Sequence, residues 1–314
     1  MIKFAKFFLG VVIIFILSWY LYSHWADLNY LLKLCFYDII AIYSITILGT
    51  LITSYIVHSL LKTFQIKTRF WDIVLLQNAT NLLNYVPMRY GTVFRANYLK
   101  RNYGLKYTQF GAFFIYSMLI MTAASAGAGI FAMVFVCDLR CHETQVLIVI
   151  FFLALLASLI FAFVPLPIPP RTRKIGVIIS NFLTARRQVS THKRVLLKCS
   201  ILFIVLLVLS SARLGIIYHS MGQDIHWAGY VVLGALGQII FFLSITPGSL
   251  GIREIAISSG GLALNIPLKV GVLASLMDRA VILSWIFSVG SICAVYLWHK
   301  SPMDFRTPNK TEDK

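Results

Sequence analysis

Charge is scarce in this sequence. Of its 314 residues only 12% are Asp, Glu, Lys or Arg, against roughly 25% in a soluble domain. Acid is scarcer still, with 11 Asp and Glu beside 28 Lys and Arg. A chain that is 59% hydrophobic cannot cover itself with so little polar material, which excludes a water-soluble globular protein. Cysteine is also sparse. Cys35, Cys137, Cys141, Cys199 and Cys293 form no CxxC pair, so zinc and haem signatures are absent. P-loop, GxSxG and HExxH motifs are missing as well. The sequence therefore reads as a non-enzyme that needs no cofactor and no metal. The first apolar run begins at Phe4 without a small-residue cleavage site and is expected to be a retained helix rather than a signal peptide.

What the sequence does have is long apolar runs, about 18 to 29 residues each. A spanning helix needs about 20 residues, whereas a barrel strand needs about 10 that alternate. Backbone amides in hydrocarbon must pair within their own element. The fold class expected is thus an all-α integral membrane protein. Spans are expected at 4–22, 39–61, 108–136, 144–164, 195–218 and 268–298, about six in all. Two shorter apolar stretches, 71–86 and 228–245, are interrupted or ended by polar residues and proline. The segments 88–107 and 165–194 read as basic connections, and a glycine-rich stretch follows Pro247 as far as Ile266.

The net charge of +17 lies in loops beside these runs, where Lys and Arg set orientation and meet anionic lipid heads. Nucleic acid is not an expected partner. Placing the clusters at 3–6, 62–69, 89–106 and 165–194 on the cytoplasmic side puts both termini there too. The same rule forces 71–86 to dip into the membrane and return, and 228–245 to do so from the other side. Two re-entrant segments follow, one per half. Pro87/Gly91 and Pro247/Gly251 match at a constant offset of 160, as do Leu83/Leu243, Ala96/Ala256 and Gly111/Gly271. Opposed halves with broken helices are a transporter architecture. The domain expectation is one transmembrane unit, 1–300, with half-repeats near 39–136 and 195–298 and a polar tail at 301–314.

Chemistry concentrates at the two breaks. Pro87, Gly91, Pro247, Gly248 and Gly251 free backbone groups or allow close approach. Arg89 and Arg95 can hold a phosphate through forked donors or snorkel to the interface. Arg253 and Glu254 follow the second break at a depth where ionisable groups face a cavity or one another. They read as a head-group or proton site, or as a structural pair. Asp278 and Arg279 sit about ten residues into the last run, with Arg279 a ligand and Asp278 its counter-charge or a proton carrier, or both a helix tie. Arg213 fits outward snorkelling as well as function. His219, Asp224 and His226 read as a solvated loop. Cys137 and Cys141 lie in an outer loop, with their pairing open. Gly127, Gly129, Gly234 and Gly237 are expected to let helices pack closely.

The segments Pro87-Met88-Arg89-Tyr90-Gly91-Thr92-Val93-Phe94-Arg95 and Pro247-Gly248-Ser249-Leu250-Gly251-Ile252-Arg253-Glu254 resemble the transmembrane region of the lysylphosphatidylglycerol synthase/flippase family. Arg279 matches a later family arginine. The resemblance implies a stand-alone member that binds or translocates lipid. With sixteen residues after Trp298, no aminoacyltransferase domain is expected. Thr92 stands where the family usually has glutamate, and an acidic-arginine pair is missing around Phe114–Tyr116.

The function expected is therefore that of a lipid flippase-like protein in the plasma (inner) membrane. It would bind and move an anionic lipid, either a phospholipid or a polyprenyl-phosphate-linked glycan, with Arg89, Arg95, Arg253, Glu254 and Arg279 at the head group. The alternatives are a non-catalytic accessory subunit docked on an envelope-biosynthesis enzyme, and an intramembrane head-group enzyme using Glu254 or Asp278. Membrane lipids are the expected partners, with that enzyme or a second copy of the chain as further candidates.

Overall fold

The computed structural model describes residues 35–85, 90–136, 142–163, 174–242, 249 and 251–300. The expected first span, Pro87, Arg89, Cys137, Cys141, Pro247, Gly248 and the 301–314 tail lie outside the described residues. Ten helices make up the described secondary structure. Five are long and apolar enough to cross a membrane: α1 (Phe36–Lys62), α4 (Tyr107–Val136), α5 (His142–Phe163), α7 (Lys193–Ser220) and α10 (Leu268–Lys300). The others are α2 (Phe70–Leu83), α3 (Tyr90–Tyr103), α6 (Lys174–Thr191), α8 (Trp227–Phe242) and α9 (Ile252–Leu262). This is an all-α multi-pass membrane protein.

The spanning helices fall within a few residues of the hydrophobic runs. The basic and glycine-rich connections do not stay loops. Residues 88–107 contain α3, 165–194 contain α6, and the stretch before Ile266 contains α9. Each is helical because one face is packed while charge or small residues occupy the rest. In α6, Leu183, Ala185 and Val189 are buried while Arg187 is exposed. Burial of such a stripe supplies the stability that composition alone does not suggest.

The short helices pair into hairpins. At the open end of α2/α3 the Tyr103 hydroxyl donates to Asp72 at 2.8 Å. Near its turn the helices are in backbone contact, and a Cβ on Gly91 would lie 2.2 Å from the Thr80 carbonyl oxygen. Only glycine fits there. In the α8/α9 hairpin the helices also pack closely, with a Cβ on Gly260 falling 2.3 Å from the Leu236 Cδ1 side-chain atom. The hairpins open at opposite ends of α10. Lys300, at its end, donates to Asp72 at 2.9 Å, whereas Gly271, near its start, packs on Ser258.

An order of long, short, short, long thus occurs in α1–α4 and again in α7–α10, with α5 and α6 between. The halves are interlocked. The last helix of each half seats the first hairpin helix of the other, α10 against α2 and α4 against α8. Trp285 Nε1 donates to Asn78 Oδ1 at 3.2 Å, and Ser125 donates to Gln238 Oε1 at 2.7 Å. Asn78, one of the asparagines that make α2 look too polar for a span, therefore faces protein, and Asn84 accepts from Thr92 of α3 at 3.4 Å. Close packing is borne out at Gly129, Gly234 and Gly237, where an added Cβ would meet Phe151, Ser211 or Arg253 within 3.3 Å. Gly127 is the exception, since it faces open space.

One apolar cluster, with Leu60, Leu99, Phe113 and Leu297, fills the Lys300 end. A second, with Ile42, Tyr218, Ile257 and Leu273, fills the other. Outside, α5 exposes Val149, Phe152, Leu153, Leu156 and Ile160, a continuous apolar face that suits lipid.

Candidate functional site

Asp278 lies ten residues into α10, about 15 Å along the helix axis, within an apolar helix long enough to cross a membrane. It has no solvent exposure. Arg213 of α7 donates to Asp278 Oδ1 at 2.5 Å, and Arg253 of α9 donates to Oδ2 at 2.8 Å. Arg213 also reaches the Thr46 hydroxyl of α1 at 3.4 Å. Three helices thus meet on one carboxylate, and α1 joins them through Arg213.

The next residue serves a second set of groups. Arg279 donates from Nε to Glu254 Oε1 at 2.8 Å, from Nη1 to the Tyr85 hydroxyl at 3.2 Å, and from Nη2 to the Ser249 carbonyl at 3.2 Å. Tyr85 ends the α2 side of the first break, and Ser249 precedes α9 at the second. One guanidinium therefore holds both breaks. Glu254 is occupied on its other oxygen, which accepts from the Gly251 N–H at 2.7 Å. Gly251 takes φ +82°, a left-handed conformation natural to glycine, and this turns its amide toward the carboxylate.

Of the residues singled out in the sequence, the structure brings together Gly251, Arg253, Glu254, Asp278 and Arg279. It joins to them Arg213, whose role the sequence leaves open between snorkelling and function, and adds Tyr85, Ser249 and Thr46. Arg213 is buried rather than directed outward to solvent. Asp278 neutralises Arg213 and Arg253, not its neighbour Arg279. Successive helical residues point about 100° apart, so the adjacent pair serves different partners. In the sequence Arg213 stands five residues before Tyr218, a position that does not separate snorkelling from function. Ser249 lies within the second motif but carries no expected role there, and neither does Tyr85. His219 and Asp224 form an exposed pair at 2.8 Å.

Arg95 sits apart, on α3 within the apolar cluster that contains Phe94 and Phe113. Its guanidinium carbon stands 5.3 Å from the Phe113 ring centre. Nε and Nη2 are buried without a hydrogen-bond partner.

Among the described residues, Arg213, Arg253 and Arg279 face two carboxylates, Asp278 and Glu254, so one positive charge is in excess there. Arg253 Nη1 and the Ser249 hydroxyl are buried there and unpartnered. Desolvated charge and unused donors are expensive, and an anion would satisfy both. The family model described as the lysylphosphatidylglycerol synthase TM region matches residues 7–290. The chain belongs to this family. No curated protein and no solved structure matches it. Membership of the lysylphosphatidylglycerol synthase TM-region family associates the chain with membrane lipid metabolism or transport. The motif residues Gly251, Arg253, Glu254 and Arg279 lie in the buried network, and Arg95 lies outside it.

Proposed function

We propose that the protein is a lipid flippase-like transporter that binds an anionic lipid head group between the two hairpins and carries it across the bilayer. The observation that supports this best is the excess positive charge of the Arg213–Arg253–Arg279 network among the described residues, with Arg253 Nη1 unused. Phosphate is the membrane's abundant anion, and a forked guanidinium suits it. The α2/α3 and α8/α9 hairpins act as re-entrant segments entering from opposite faces, and the two halves form an inverted repeat. Their opposed openings on α10 and the reciprocal seating of hairpins favour this reading. The basic ends, with Lys62, Lys67, Lys100 and Lys300, face the cytoplasm, and the chain resides in the plasma membrane.

The network is closed in this conformation, so lipid entry requires the hairpins to part. Head-group phosphate would then meet Arg253, while acyl chains stay in the bilayer. Arg95, and Arg89 beside the first break, are candidates for a second contact on the route. The purified protein in liposomes should move a labelled anionic lipid between leaflets, and Arg253→Gln should slow it at least ten-fold, the loss of one charge-assisted contact of about 1.5–3 kcal/mol. Wild-type liposomes that scramble no faster than protein-free ones would sink the transport reading. Lipid retention without transport would instead favour the accessory-subunit role.

A further inference from the structure

The head group that fits this network can be narrowed by what its acids already do. We infer that the site selects lipid anions whose head group carries no amine, a phosphate or phosphodiester bearing at most hydroxyl groups. The inference rests on the lipid-binding reading and deepens it. All four carboxylate oxygens of the network are engaged. Asp278 accepts from Arg213 and Arg253, and Glu254 accepts from Arg279 and the Gly251 amide. What remains unused is one guanidinium nitrogen of Arg253 and the Ser249 hydroxyl, which offers donors to an anion and no free carboxylate to a cation.

Gly237 of α8 lies against Arg253, with its Cβ position 3.3 Å from Nε, so α8 brings no acidic side chain to the guanidinium at that position. An ammonium entering here would meet three guanidiniums whose counter-ions are already taken. A unit charge about 10 Å from the network's excess charge, at an effective dielectric near 20, changes affinity on the order of ten-fold.

Competition between defined lipids on the purified full-length protein, read by native mass spectrometry, tests this. The probes are phosphatidylglycerol, a polyprenyl phosphate, phosphatidylethanolamine and lysyl-phosphatidylglycerol. We expect phosphatidylglycerol or the polyprenyl phosphate to bind at least ten-fold better than either amine-bearing lipid, with the better of the two identifying the lipid source. Arg253→Gln should shrink that preference several-fold while Asp278 keeps Arg213. Equal or tighter binding of the amine-bearing lipids overturns the selectivity and leaves lipid binding intact. Failure to hold any of the four overturns both. The wild-type comparison decides by itself, so a variant that misfolds leaves the test standing.

Discussion

Arg279 donates a hydrogen bond to the Tyr85 hydroxyl at 3.2 Å, joining residues 194 positions apart. Through it the end of the first hairpin's entering helix is tied to the group that also holds Glu254 and the Ser249 carbonyl at the second break. Tyr85→Phe removes only this link. The expected loss is about 1.5 kcal/mol, read as a lower melting temperature in detergent, with the fold retained. An unchanged melting point would show that the link carries no stability.

Asp278→Asn should be far more damaging. It strips the charge that two buried guanidiniums share, and breaking a buried ion pair from one side costs roughly 3–5 kcal/mol. Adding Arg213→Met to Asp278→Asn removes one stranded cation and should recover part of the loss. Denaturant or thermal unfolding of both variants measures the difference, and a double variant less stable than the single one contradicts this account.

Backbone contact at Gly91 makes another sharp comparison. In Gly91→Ala the new methyl would collide with the Thr80 carbonyl oxygen, 2.2 Å from the Cβ position, which only a shift of α3 can relieve. Gly127→Ala meets nothing within 4 Å and adds helix propensity worth up to about 1 kcal/mol. The first should lower expression and melting temperature, and the second should leave them equal or higher.

How much of this was legible in the sequence differs by element. Hydropathy found all five described spans because lipid contact demands uninterrupted apolar side chains, as on α5. It found α2 and α8 as short apolar pieces, and the arginine clusters implied that α2 returns to its own side. Helices α3, α6 and α9 were missed because their stability comes from faces such as Leu183 and Val189 that packing buries. Arg253, Glu254 and Asp278 stood out by depth. Their partners did not, since Arg213 and Asp278 are brought together only by the way α7 lies on α10.

Side assignment can be checked directly. Single cysteines at Lys67 and Arg101, introduced after replacing the native cysteines, should react with a membrane-impermeant maleimide only once the cytoplasmic face is opened. A cysteine at Gln223 should react from outside. Opposite labelling of positions 67 and 101 would dismantle the re-entrant reading of α2 and α3.

The contact between Asp72 and Lys300 should depend on acidity. Burial opposes ionisation of Asp72, but hydrogen bonds from Lys300 and Tyr103 outweigh it and hold the carboxyl below its ordinary value of 3.8. A carboxyl lowered in the folded state stabilises the fold above its unfolded pKa and loses that contribution as pH falls through the folded value. The contact should therefore be unaffected from pH 8 to 5 and weaken only below about pH 4. Asp72→Asn should cost ~1 kcal/mol or less, as for an exposed pair. Melting curves against pH for the wild type and the variant give the comparison.

Reciprocal seating of the hairpins also governs biogenesis. Asn78 is translated some two hundred residues before Trp285, its partner on α10. Until then the face of α2 that carries Asn78 lacks the α10 surface that covers it, whereas α8 can dock at once on the α4 already made. The nascent protein is thus assembled from its second half backward, and a chain cut short before Gly290 would leave its first hairpin unseated, a mark by which membrane quality control can tell it from the finished molecule.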